Sequence, residues 1–140
     1  MGAVSIETPT WGLHVHLEGE LSLEERDEMA RRVEQACLAL AGRGTPWSSL
    51  LELDGFQVDR FRPEVVVRLM RLGRDCGHVR MALVMTDWTW ACRFADAMIA
   101  AGTDDQVRIF VVPEITPDHC TSAMDWVLYG GALPLVSRAA

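Results

Sequence analysis

Hydrophobic and polar positions along this chain switch repeatedly between a period of two residues and one close to 3.6, and that alternation predicts βα repeats. A short strand is expected over Ala3–Glu7, closed by the Thr8-Pro9-Thr10 breaker, and a clearer one over Trp11–Leu17. In the second, Trp11, Leu13, Val15 and Leu17 fall on one face, with His14, His16 and Glu18 on the other. That pattern suits an outer strand with one dry side, and the two strands are expected to form a hairpin. Glu18-Gly19-Glu20 turns the chain, and Ser22 with Glu25 three residues on reads as a capping box. The helix behind it carries Met29, Val33, Ala36, Cys37 and Leu40 on one face and Glu24, Arg31, Glu34 and Gln35 on the other, until Gly42 and Gly44 stop it.

The next run, Trp47–Leu53, is apolar enough for a strand covered on both faces, as in parallel sheets. A loop over Asp54–Arg62 leads to Pro63 at the first position of a helix whose inner face is Val65, Val66, Leu69, Met70 and Gly73. Val79–Met85 is another covered strand. Thr86 or Asp87 can cap the helix holding Ala91, Phe94, Ala95, Met98 and Ile99, which ends at Gly102. Val107–Val112 is the last strand expected. Thr116 and Pro117 open a short helix through Ala123, Met124, Val127 and Leu128, and Gly130-Gly131 ends it. Residues 132–140 read as a loosely held tail outside a domain of residues 1–131. The fold class is α/β: a single small domain of βα units with a mostly parallel sheet, an N-terminal antiparallel hairpin, and helices packed on the sheet.

With 140 residues, 49% of them hydrophobic, the chain suits one domain with a real core. A formal charge of −7 argues against nucleic acid and anionic membrane surfaces as partners. Cys37, Cys76, Cys92 and Cys120 sit among apolar neighbours without a CxxC pair, so four reduced thiols in a reducing compartment are expected. No run approaches the roughly 20 apolar residues of a membrane span, and no basic stretch followed by an apolar core reads as a secretory signal. A cytoplasmic location is the expectation.

The hairpin-like start, the βα units, an acidic-Gly turn after the second main strand and the closing VRIFVVPE…SAMDWVLYG together resemble a known group. The resemblance is to the SpoIIAA-like branch of the STAS superfamily, over roughly Trp11–Tyr129. Anti-sigma antagonists of that superfamily carry a phosphorylatable Ser or Thr just after an Asp. The matching stretch here is LELDGFQVDRFRPEVV, in which Asp59 stands in for the Asp and Arg60 takes the place of the hydroxyl residue. No Ser or Thr lies between Asp54 and Val79, so the phospho-switch is not expected. The resemblance therefore implies a non-catalytic binding or regulatory module with an unidentified protein partner and no cofactor, and a homodimer is left open. CRAL-TRIO lipid-binding domains share the fold plan, which keeps open a carrier or sensor of a small apolar or anionic ligand.

Candidate chemistry is sparse. His14 and His16 have a spacing that can chelate a transition metal, but Glu18 is the only local third ligand, and no metal is expected. His119-Cys120 are adjacent on a helix and point about 100° apart, unsuited to a nucleophile–base pair. Arg68, Arg71 and Arg74 form a basic stripe that reads first as a solvated helix face and second as a docking site for acidic groups. In a parallel sheet the loops at the strands' C-terminal ends gather on one edge, where ligands bind. Here they bring Asp54, Asp59, Arg60, Arg62, Asp87, Trp88, Trp90 and Glu114, a recognition surface rather than a catalytic set. Two tryptophans in one helical turn cannot both enter a small core, so at least one is expected to line a crevice.

Overall fold

The computed structural model describes residues 2–55 and 62–138. Among the described residues, six strands and four α-helices follow one another: β1 (Ala3–Glu7), β2 (Gly12–Glu18), α1 (Leu23–Ala41), β3 (Trp47–Asp54), α2 (Pro63–Asp75), β4 (His78–Met85), α3 (Trp88–Ala101), β5 (Val107–Val111), α4 (Thr121–Tyr129) and β6 (Val136–Arg138). The strands form one sheet in sequence order, β1 antiparallel to β2 and every other neighbouring pair parallel. The expected α/β class and hairpin start are what the chain adopts.

Local signals in the sequence fix the helix ends. Ser22 Oγ accepts the Glu25 N–H at 3.1 Å while the Glu25 carboxylate accepts the Ser22 N–H at 3.0 Å, a complete capping box. Asp87 Oδ1 accepts the Trp90 N–H at 2.9 Å and so opens α3. Gly102 closes α3 in the left-handed region, at φ 71°, where a side chain would be strained.

The strand alternation divides the core between two faces of the sheet. Leu17, Leu53, Leu83, Met85 and Ile109 point to the side covered by α1, α2 and α3. Leu50, Ala82, Val84 and Phe110 point to the other, where Ala123, Trp126 and Val127 of α4 cover them. Trp126 Nε1 donates to the Met81 carbonyl at 3.1 Å, and the Arg80 guanidinium donates to the Val127 and Leu128 carbonyls at 3.2 Å each. Because α4 packs on β3, β4 and β5, the same face of β2 is left to its own polar side chains.

Three features depart from the sequence reading. The described part of the expected tail is not loose: Val136–Arg138 form β6 along β5, and Leu135 and Val136 pack on the larger core cluster, while residues 139 and 140 lie outside the described residues. Three residues are too short a strand to stand out by period in the sequence. Nor is β2 an outer strand, since β1 and β3 flank it. Trp11 packs on the α4 side, away from Leu13. The regular strand begins only at Gly12, whose φ of 149° and tight approach to the Ser48 backbone admit no side chain, so the alternation cannot be carried back through it.

Candidate functional site

Between the sheet and the pair α1 and α2 lies a cavity of about 160 Å³ with an almost wholly apolar wall. Leu13 and Val15 of β2, Leu51 and Leu53 of β3, and Met81 and Leu83 of β4 form its floor; Met29, Ala30 and Val33 come from α1 and Val66, Leu69 and Met70 from α2. Met29, Val33, Val66 and Leu69 are only half-buried, so the space opens between the two helices. It exists because small or slender side chains face one another there: Ala30 and Val33 on α1 meet Val65 and Val66 on α2 over a floor of aliphatic residues. Arg26, in the first turn of α1, and Arg62, the residue before α2, line the end that reaches the C-terminal edge of the sheet.

Two buried polar side chains break the apolar wall at its other end, where β3 and β4 begin. Ser49 is 1% exposed and His78 is 4% exposed, and Ser49 Oγ lies 2.8 Å from His78 Nε2. Burial pushes His78 down to about 4, which leaves the ring neutral near pH 7. Trp47 packs against the ring with centroids 4.9 Å apart, and its Nε1 donates to the Cys76 carbonyl at 2.9 Å. The pair of consecutive serines in an otherwise apolar strand, Ser48-Ser49, is the sequence signal that could have marked this spot.

The residues expected to form the site are distributed as follows. Arg62 reaches the cavity and also lies 3.7 Å from Asp27 Oδ1. Asp54 is half-buried at the end of β3, where its carbonyl accepts the Gly19 N–H at 2.8 Å. Asp59 and Arg60 lie outside the described residues. Asp87 is spent on capping α3. Trp90 is a core residue, 3% exposed and packed on Phe94, so it lines no crevice. Trp88 faces outward at 40% exposure, with the Arg138 guanidinium 4.6 Å from its ring. Glu114 is exposed, and its carbonyl accepts from His119 Nδ1 at 2.7 Å. In the basic stripe, Arg68 pairs with Glu34 at 3.5 Å and Arg74 with Asp105 at 3.1 Å, so two of its three charges are matched within the chain.

On the α4 side of the sheet, His14 and His16 meet an acid from the next strand rather than Glu18. His14 Nε2 is 2.5 Å and His16 Nδ1 3.3 Å from Glu52 Oε1, and Cys120 Sγ donates to Glu52 Oε2 at 3.3 Å. Burial would raise the Glu52 pKa, but the hydrogen bonds from His14 and Cys120 outweigh it and hold the carboxyl below its usual range. Burial first, then Glu52, pushes the Cys120 thiol up to about 12, and burial pushes Cys37 up to about 11. Neither thiol is a nucleophile near neutral pH. Among the described residues, no group of three or more His, Cys, Asp and Glu side chains is arranged to hold a metal ion, and no helix is long and apolar enough to cross a membrane.

Comparison with protein-family models, with curated proteins and with solved structures found no match to this chain.

Proposed function

We propose that this chain is a non-catalytic binding module, and that its occupant is a small, mostly apolar molecule held between α1, α2 and the sheet. The cavity carries this reading. An apolar void of about 150 Å³ is known to stay dry and to take up a single aromatic ring, and this one, at about 160 Å³, is of that size. A domain that left such a space empty would forgo dispersion contacts along every wall. Arg26 and Arg62 at the edge end favour an anionic or polar head at the mouth.

The absence of catalysis is supported by the state of the nucleophile candidates: Cys37 and Cys120 are held as thiols, and the His119 ring is engaged by a backbone carbonyl. The hairpin followed by parallel strands in sequence order supports the STAS-like plan and its carrier variant. One surface favours a protein partner as well, the exposed Trp88 ring stacked by Arg138 at the C-terminal edge of the sheet.

Titration with octanoate and with toluene, followed through tryptophan fluorescence and the melting temperature, tests the proposal. Saturable binding with a rise of several degrees is expected, since a ligand at 100 times its Kd adds about 2.7 kcal/mol of stability. Failure of both compounds to bind would overturn it.

A further inference from the structure

Charge enters the cavity wall with one sign and at one end. Among the described residues that line it, Arg26 and Arg62 are cations, and no Asp or Glu joins them. Both stand at the C-terminal edge of the sheet, Arg26 in the first turn of α1 and Arg62 just before α2. Arg62 Nη1 lies 3.7 Å from Asp27 Oδ1, longer than a hydrogen bond, so that contact orients the guanidinium by charge and takes up none of its donors. Away from the arginines the floor is aliphatic through Leu53 and Leu51 of β3. From Leu53 to Ser49 it runs four residues along that strand, about 13 Å at the usual rise. Cys37, Trp47 and the mutually bonded Ser49 and His78 close the far end, where the buried ring is neutral near pH 7. The cavity is therefore polarised along its length, cationic at the mouth and uncharged within.

We propose that the occupant is an amphipathic monoanion, a carboxylate on a single apolar tail of about six to eight carbons, with its head at Arg26 and Arg62 and its tail along β3 toward Trp47. This rests on the reading of the cavity as a ligand site and adds the class and orientation of the ligand. The tail length follows from volume: a void of about 150 Å³ takes up the six carbons of a benzene ring, and this one is slightly larger. A carboxylate suits the mouth because a guanidinium presents it with a planar pair of donors. One negative charge is favoured over two, since Arg62 already faces Asp27 and the chain carries a net charge of −7. The reverse orientation would bury the carboxylate among Cys37, Trp47 and a neutral imidazole, where the described wall offers no cation to meet it.

Octanoate and 1-octanol have the same number of carbons and differ in the charge of the head. A cavity that reads apolar volume alone prefers the alcohol, because a carboxylate gives up far more hydration. Here octanoate is expected to bind about tenfold or more tightly than 1-octanol at pH 7 by calorimetry, and to displace the neutral compounds. In the double variant Arg26→Gln with Arg62→Gln, octanoate should lose that factor of about ten while 1-octanol keeps its wild-type affinity. Should the double variant fail to fold, Arg62→Gln alone carries the test, since Arg62 is exposed and its side chain caps nothing. It should weaken octanoate about threefold or more and leave 1-octanol unchanged. 1-Octanol binding as tightly as octanoate would overturn the inference and leave the cavity reading standing. So would octanoate that binds without displacing the neutral compounds, or a preference for it that survives undiminished in the folded variant. If neither octanoate nor toluene binds, the cavity reading fails and the inference with it.

Discussion

Filling the cavity should stabilise the protein, and the site for doing so is Ala30. Ala30 is 8% exposed, sits on the buried face of α1 and lines the void directly. At about 24 cal/mol per Å³, a void of 160 Å³ represents roughly 4 kcal/mol of lost packing, the ceiling on what any filling substitution can recover. Ala30→Leu adds three carbons. At ~0.8 kcal/mol per buried carbon the gain is about 2.4 kcal/mol. Fixing the Leu rotamer takes back about 0.5–1 kcal/mol, and helix propensity changes little. The expected net is a stabilisation of about 1–2 kcal/mol in urea unfolding with an unchanged m-value. Ala91→Leu is the control: Ala91 is 0% exposed in α3 and does not line the void, so the same three carbons should overpack and cost about 1–3 kcal/mol. If Ala30→Leu is destabilised like the control, there is no void to fill and the reasoning from cavity to ligand collapses. Ala30→Leu should also weaken toluene binding, because the added carbons occupy ligand space.

Trp90→Ala should cost about 3–5 kcal/mol as a core truncation, whereas Trp88→Ala should cost about 1 kcal/mol; equal losses by urea unfolding would contradict their different burial. Stability should fall on acidification through His78, whose folded pKa is depressed to about 4. Above the ordinary value of 6.5 both states are neutral; below it the unfolded chain binds the proton first, so stability present near pH 7 is lost as pH drops toward 4. At pH 5 that loss is about 2 kcal/mol, and His78→Gln should lack it; a pH dependence identical in the two proteins refutes the assignment. Native thiol labelling at pH 8 should modify the exposed Cys92 first and half-buried Cys76 more slowly, sparing Cys37 and Cys120, while the denatured protein yields four free thiols.

Much of the fold was legible because its signals are local. Ser22 and Glu25, Pro63, Asp87 and Gly102 each act within one helical turn, and the helix boundaries follow from them. The period-two alternation of Leu13, Val15 and Leu17 states which side of β2 is dry without reference to any other strand. Trp11 misled because Gly12 interrupts the twist that a period count assumes to be continuous. The strand at Val136–Arg138 escaped notice for a different reason: its three residues are strand only by virtue of the β5 edge beside them.

The site was harder to read because every part of it is a relation between distant segments. His14 and His16 are visible as a pair at once, but the acid they meet is 36 and 38 residues away and becomes a neighbour only through the parallel register that sets His16 opposite Glu52. Glu18, the nearer carboxylate in sequence, points from the same strand and cannot close the group. The cavity is more remote still from any sequence signal, since a void is a difference between the space that two helices span and the volume their side chains supply. Ala30, Val33, Val65 and Val66 are ordinary inner-face residues when α1 and α2 are read singly. Only when the helices are placed side by side over Leu51 and Leu53 does their joint slenderness leave room. A periodicity reading assigns each residue to a face and assumes the face is filled. Where two facing helices both present small or branched residues, that assumption fails, and the same pattern that predicts a core has predicted a pocket.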